Sequence, residues 1–367
     1  MKTEALKVVT LEGGPTARGH QHGEILAPRI HELLNRWDEG LQRVYRINRA
    51  DYVERFYAET KFEQALQTYA PTVLEEIAAI ARGANADYRT LLAWQHINEE
   101  FWLALPPPAA PQGEACSTMA LGPTKTQSAL IGQNLDLDHY LDGYQILLRY
   151  PCDRSDGRIM APSVPGMISL NGMNSYGFAV CDNALTKLRA DVAGVPIFAI
   201  YRLLLESRSL AEAVAIIERL PHASGLNWVM GDPRGVAMYE RSAGEVVKYG
   251  PDDASRPIYH TNHPIRNCDV VGEVGRRPGR STYLRFAALH ERISLLDRPL
   301  DIPAIKTILQ GRDDPDYPVS RAGGKNEEDE AIGFTLASCI FELDSTEPKL
   351  HIASGPPHLC NFRTFPA

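Results

Sequence analysis

The hydrophobic pattern of this chain changes period between residues 105 and 116, and that change limits the folds open to it. Ahead of the run Leu105-Pro106-Pro107-Pro108-Ala109-Ala110-Pro111, apolar residues recur with a period near 3.6, as in Ile25, Ile30, Leu33, Leu34 and Trp37, or Leu74, Ile77, Ala78 and Ala81. That is the spacing of helices with one face on a core. Beyond it the period is two. From Ser128 to Asp138, Ala129, Ile131, Leu135 and Leu137 fall on one side and Asn134, Asp136 and Asp138 on the other, as in a strand.

In chain order, the pattern predicts a short strand over 6–11, a turn at Gly13-Gly14-Pro15-Thr16 and a first helix behind it. A second helix is expected over Asp51 to Tyr69, a third from Pro71 to Gly83, and a fourth opened by Asp87 or Thr90. Strands are expected at Cys116 to Leu121, Ser128 to Asp138, Gln145 to Tyr150, Met167 to Leu170 and Tyr176 to Cys181, with Asn171-Gly172 as a tight turn before the last. Helices then fill Ile197 to Ser207 and Leu210 to Leu220. Strands return at Leu226 to Met230, Val236 to Arg241 and Glu245 to Tyr249. Ser281 is expected to cap one further helix and Pro303 to start another, before strands at Phe334 to Phe341 and Lys349 to Ala353. Arg321 to Glu330, polar and Gly-containing, reads as a mobile surface loop. This order fits an α+β fold, antiparallel sheets covered by helices, better than a parallel βαβ series.

With 44% hydrophobic and 23% charged residues, the 367-residue chain has apolar side chain enough for a substantial core. A net charge of −8 with scattered basic residues argues against nucleic-acid or anionic-membrane partners. No stretch approaches the ~18 uninterrupted apolar residues of a membrane span. Met1 to Val9 lacks the apolar centre of a secretory signal, so the expected location is cytoplasmic. The six cysteines are dispersed, without C-x-x-C or close pairs, and read as free thiols, mostly small buried residues. G-x-S-x-G, P-loop and G-x-G-x-x-G patterns are absent, and no cofactor is expected.

The chemistry centres on Cys116. A cysteine that opens a strand just after a breakable linker is well placed to become a new N-terminus. Cutting the Ala115–Cys116 bond gives the thiol a neighbouring α-amine able to act as its base. If the loop around Gly122 to Gln127 has an odd number of residues, Cys116 and Thr118 share a face with Asn134 and Asp136; a two-residue loop breaks this. Against it stands the plainer reading of a hairpin with a buried cysteine and polar groups facing solvent. In Tyr259-His260-Thr261-Asn262-His263-Pro264, the Asn262 amide is a candidate donor to an oxyanion. His260 and His263 as metal ligands lack a third partner and a helix to carry them, so no metal is expected. His20 and His22 belong with the opening turn and first helix.

Taken together and in order, several segments resemble one family. They are Arg18-Gly19 with His22-Gly23, Glu114-Ala115-Cys116-Ser117-Thr118, Gly132-Gln133-Asn134-Leu135-Asp136, Asn174-Ser175-Tyr176-Gly177 with Asn183-Ala184-Leu185, and His260-Thr261-Asn262-His263. The family is that of the acyl-coenzyme A:6-aminopenicillanic-acid (isopenicillin N) acyltransferases, autoproteolytic peptidases of the N-terminal nucleophile (Ntn) hydrolase superfamily. The resemblance runs from about Gly13 to Ala353. It implies an αββα fold and a precursor that cuts itself before Cys116, giving chains 1–115 and 116–367 within one globular unit. Carried over, Cys116 is nucleophile and, through its α-amine, base; Asp136 orients that amine or contributes polar support; Asn262 is the oxyanion donor. Thr118 and Asn134 are secondary candidates.

Two departures stand out. Ala115 replaces the usual Gly before the nucleophile, and the arginine that penicillin-processing members carry near the C-terminal strand is missing from Ser354-Gly355-Pro356-Pro357. The implied reaction is hydrolysis of a linear amide, small or peptide-like, through a Cys116 thioester. Acyl transfer to an amine is the alternative, and a non-catalytic binding protein a remote one. The expected partner is a small-molecule amide or acyl donor.

Overall fold

The structure is a computed structural model that describes residues 6–97, 99, 116–250, 256–270, 279–297, 299–324 and 333–367. After β1 (Lys7–Thr10), Pro15 takes the first position of α1 (Pro15–Tyr45), where its missing N–H costs nothing. The helix buries Leu26, Ile30, Leu33, Leu34, Trp37 and Leu41. Ile25, expected on that face, is exposed, and Leu26 takes its place in the stripe. The long helix expected over 51–69 is two, α2 (Arg49–Glu59) and α3 (Phe62–Tyr69). The break comes at Lys61, whose N–H is drawn to Val192 O at 2.8 Å, a tertiary bond that a local pattern does not carry. Then come α4 (Pro71–Ala84) and α5 (Tyr88–Trp94), the latter capped by Asp87 through the Thr90 N–H.

The spacing of glycines along α1 answers to α4. A Cβ on Gly19 would sit 2.4 Å from Glu76 O, one on Gly23 2.2 Å from Ile80 O, and one on Gly83 2.2 Å from His20 O. Only hydrogen fits, so the two helices cross with their backbones in contact. Beside this crossing lies a buried charge cluster. Glu76 accepts from Arg18 Nε at 2.6 Å and from Arg202 Nη1 and Nη2 at 3.2 and 3.1 Å. Arg18 also forks onto Asp153 at the exposed rim. The buried Tyr150 ring lies under both guanidiniums, 4.3 Å from Arg202 and 5.4 Å from Arg18. The cluster ties residues ahead of the Pro-rich run to residues beyond it, as does the Gly166 N–H bond to His22 Nε2 at 2.9 Å.

From Cys116 onward the strands are β2 (Ser117–Leu121), β3 (Ala129–Leu137), β4 (Ile146–Pro151), β5 (Arg158–Ser163), β6 (Gly172–Asn174) and β7 (Ala179–Ala184). Helices α6 (Ile197–Leu204) and α7 (Leu210–Arg219) lead to β8 (Leu226–Asp232), β9 (Gly235–Arg241), β10 (Val246–Tyr249) and β11 (Ile258–His260). The chain closes with α8 (Arg280–Ser294), α9 (Ile302–Leu309), β12 (Phe334–Leu343), β13 (Lys349–Ala353) and β14 (Arg363–Pro366). Among the described residues these strands form one sheet in the order β1-β4-β5-β6-β7-β8-β9-β10 and another in the order β11-β2-β3-β12-β13-β14. Every pairing is antiparallel except β1 with β4.

Three of the sequence expectations shift here. β5 had no counterpart. Residues 167–170 are not a strand, and Gly172 opens β6 instead of forming the turn. The turn lies at 175–177, where Gly177 takes φ +78° and Asn174 Oδ1 accepts the N–H groups of Tyr176 and Phe178. Ser281 lies inside α8 and Gly279 precedes the helix; the Ser281 hydroxyl is taken by Arg285 Nε.

Three apolar clusters fix the layers. Ala120, Ile131, Cys339 and Phe341 of one sheet meet Leu147, Met160, Cys181 and Val229 of the other. The outer face of the larger sheet, with Leu148, Ile159, Val180 and Trp228, is covered by α1 and α4 to α7. The outer face of the smaller sheet, with Met119, Leu121, Leu130 and Ile340, is covered by Leu289 of α8 and Ile305, Ile308 and Leu309 of α9. Helix, sheet, sheet, helix is the αββα sandwich.

Candidate functional site

β2 and β3 pair with Ser117 opposite Asn134 and Leu121 opposite Leu130. Eight residues, 122–129, separate that last pair, an even number. The register with Cys116, Thr118, Asn134 and Asp136 on one face is therefore not the one adopted. Thr118 faces the other sheet, where its Oγ1 donates to Asn183 Oδ1 at 2.6 Å. Asn134 lies on the opposite face and donates to Leu309 O and Val319 O at 2.8 and 2.9 Å, holding α9 and the segment after it. Asp136 shares the Asn134 face, reaching toward α8.

Cys116 stands one residue ahead of β2, 3% exposed. Its carbonyl oxygen accepts from Asn183 Nδ2 at 3.1 Å and Arg285 Nη1 at 2.8 Å. Asn183 is locked for this: its Oδ1 takes hydrogens from Thr118 and from Asn227 Nδ2 at 3.0 Å, which leaves its NH2 for Cys116. Ala115, the other side of the expected scissile bond, lies outside the described residues.

Asp136 is buried. Its Oδ1 accepts from Thr335 Oγ1 at 2.6 Å, and its Oδ2 lies 3.9 Å from Arg321 Nη1. Among the described residues, Asp136 Oδ2 and Arg321 Nε have no hydrogen-bond partner. Burial pushes the Asp136 carboxyl up to about 6, with Arg321 and Arg285 pulling the other way. Burial lowers both guanidiniums. Arg285 is taken to about 9 with the help of its like-charged neighbour Arg321, while Asp136 and negative charge on Cys116 oppose the shift in each. Both arginines therefore feel the charge state of the cysteine.

Asn262 follows β11. Its backbone N–H donates to Thr282 Oγ1 at 2.7 Å, its Oδ1 accepts from Arg285 Nη2 at 3.0 Å, and its Nδ2 donates to Ala184 O at 3.1 Å. A cation on one side and a carbonyl on the other admit only this amide orientation. Among the described residues one Nδ2 hydrogen is left over. The loop beyond is pinned by buried Glu240, which accepts the N–H groups of Ile265, Arg266 and Asn267 and bonds His260 Nε2 at 2.8 Å. His263 bonds Thr282 Oγ1 and is lowered to about 4 by burial, then by His260 and Arg285. Among the described residues no group of three or more His, Cys, Asp and Glu is placed to hold a metal. His20 and His22 are both in α1.

The structure thus brings Cys116, Asp136 and Asn262 around two arginines that sequence reasoning missed. Arg321, assigned to a mobile surface loop, is buried. Its backbone N–H bonds Thr335 Oγ1 at 3.0 Å, the hydroxyl that donates to Asp136; composition had grouped it with its polar successors. Arg285 carried a signal, since it falls on the buried α8 stripe Thr282, Arg285, Leu289, and a charge on an inward face asks for a reason.

A family model described as acyl-coenzyme A:6-aminopenicillanic acid acyl-transferase matches residues 124–356. The acyl-coenzyme A:6-aminopenicillanic-acid-acyltransferase 40 kDa form of Emericella nidulans is 28% identical over 352 residues, covering 95% of this chain and 93% of the relative. Among solved structures, penicillin V acylase from Agrobacterium tumefaciens aligns with a TM-score of 0.43 and 16% identity, covering 65% of this chain and 83% of that one. The N-acylethanolamine-hydrolyzing acid amidase ortholog of Caenorhabditis elegans aligns at 0.42 and 15%, covering 62% and 92%. No helix among the described residues is long and apolar enough to cross a membrane.

Proposed function

The chain belongs to the acyl-coenzyme A:6-aminopenicillanic acid acyl-transferase family, and on that premise we propose that it is a self-processing cysteine amidohydrolase. The observation that carries this is the cysteine at the head of β2, its carbonyl held by Asn183, beside an Asn262 amide with one hydrogen uncommitted among the described residues.

In the precursor the Cys116 thiolate attacks the Ala115 carbonyl carbon. The Ala115–Cys116 C–N bond breaks, the nitrogen takes a proton, and a thioester forms between Ala115 and the Cys116 sulfur. Water opens it, leaving the Ala115 carboxylate, the free thiol and a new α-amine. The products are a chain of Met1 to Ala115 and a chain of Cys116 to Ala367.

In the mature enzyme the α-amine accepts the thiol proton, and the thiolate attacks a substrate amide carbonyl. Asn262 Nδ2–H donates to the tetrahedral oxyanion, an interaction worth about 3–4 kcal/mol in such sites. Collapse expels the amine, protonated by the α-ammonium, and water releases the acid from the thioester. Asp136, ionised above about pH 6, holds the α-ammonium. Substrates are small-molecule amides or acyl donors. The Emericella relative's name favours a second reading, in which an amine replaces water as acyl acceptor; product analysis with and without an added amine separates the two.

Intact mass of purified protein tests the proposal. Two species together one water heavier than the precursor are expected, and Cys116→Ala should give a single inactive chain. A wild-type chain that stays whole and is nevertheless active overturns it.

A further inference from the structure

We propose that Arg285 is a positioning residue that fixes the nucleophile and the oxyanion donor relative to one another; this rests on the function proposed above. One guanidinium spans both groups. Its Nη1 donates to Cys116 O at 2.8 Å and Ser117 Oγ at 3.0 Å, its Nη2 to Asn262 Oδ1 at 3.0 Å, and its Nε to Ser281 Oγ at 3.2 Å. Four of the five N–H groups are thereby used, all on oxygens of the site or of its own helix.

The planar fork makes the link rigid. Nη1 and Nη2 belong to one conjugated group, so Asn262 cannot turn or drift from Cys116 without giving up a charged hydrogen bond. By occupying Asn262 Oδ1, the cation also forces the amide to present NH2 to the reacting side. A swung amide would offer an oxygen to an oxyanion and repel it.

The second support is energetic. Arg285 is 1% exposed, and among the described residues no carboxylate lies within ion-pair distance of it. Burial and the neighbouring Arg321 both work against its charge. A cation in such a place is costly, and a packed apolar residue would suit the α8 stripe better. What Arg285 provides that a leucine does not is the bridge between Cys116 and Asn262. Lysine does not replace it, since a single ammonium on a flexible stem cannot hold both oxygens in the geometry of the fork.

The test is a double-variant cycle. Arg285→Lys, Asn262→Ala and the pair together are assayed with p-nitrophenyl acetate by nitrophenolate release, over a Cys116→Ala background, with rates divided by the Cys116 sites that iodoacetamide titrates. Arg285→Lys is expected to lower kcat about 100-fold with KM within about threefold, as for a misplaced oxyanion donor. In the Asn262→Ala protein the same change should cost less than about fivefold, because the group it positions is gone. Should Arg285→Lys stay uncut, the same cycle is read on the rate of self-scission, with the same non-additivity expected. A merely structural arginine gives additive losses or a lower titratable fraction with unchanged kcat per site, and either result overturns the proposal. If wild type releases no nitrophenolate above Cys116→Ala, the proposed function falls and Arg285 with it. If wild type is active and Arg285→Lys keeps kcat within about threefold, only the inference on Arg285 falls.

Discussion

Glu76→Gln tests the charge cluster beside the α1–α4 crossing. The carboxylate accepts three hydrogen bonds from two buried guanidiniums. Glutamine keeps its shape, but one oxygen becomes an NH2 aimed at donors. Arg18 retains its fork onto Asp153. Arg202 does not fare as well, because its other carboxylate contact, Asp153 Oδ2, is 4.0 Å away, so a buried cation loses its main counter-charge. Breaking a buried pair from one side costs about 3–5 kcal/mol, and the fork kept by Arg18 puts this case near the lower end, about 3 kcal/mol. Urea unfolding followed by tryptophan fluorescence reads the loss, in a Cys116→Ala background so that the chain is whole and the transition does not depend on concentration. Adding Arg202→Met removes the orphaned cation, so the double variant should be more stable than Glu76→Gln alone. A loss under about 1 kcal/mol, or a double variant that falls by the sum of the two single losses, refutes this account of the cluster.

Gly23→Ala places a Cβ 2.2 Å from Ile80 O and 2.7 Å from Ala84 N, both backbone atoms. The helices must part, and a loss of about 1–3 kcal/mol is expected as a lowered Tm; Gly235→Ala, with open space around its Cβ, is the control, and equal Tm values for the two speak against the close crossing. Buried Glu99 is pushed up to about 7, chiefly by burial. Because its folded value lies above its unfolded one, its stabilising share is complete below about pH 4.5 and is lost as pH rises to about 7, roughly 3 kcal/mol in all. Asp182 shifts the same way, so Glu99→Gln should shrink the decline in urea midpoint between pH 5 and 7 without abolishing it; an unchanged profile contradicts the assignment.

The layers of this fold were legible in the sequence because each depends on local period. The buried stripe of α1 and the alternation in β3 can be read residue by residue, and Asp87 announces α5 through its own side chain. What failed depends on partners far along the chain. The helical pattern breaks at Thr60 and Lys61, where Val192, from the other side of the Pro-rich run, takes the Lys61 N–H. The facing of β2 and β3 turns on the eight residues between Leu121 and Leu130, and loop parity is invisible until the pairs are known. Cys116 and Asn262 were named as candidates from their own segments. The guanidinium between them was not, since Arg285 lies 169 positions from Cys116 and nothing near either residue requires it.

The strand β1 has a consequence for how such a protein must be made. It borders the larger sheet along β4, yet it belongs, with α1 to α5, to the stretch before Cys116. Taken away, that stretch leaves β4 with a bare edge and strips the larger sheet of much of its helical cover. The two portions therefore have to fold against one another, whether they meet as one chain or as two. A gene divided at codon 116 would yield stable protein only where both halves are produced in the same cell at the same time.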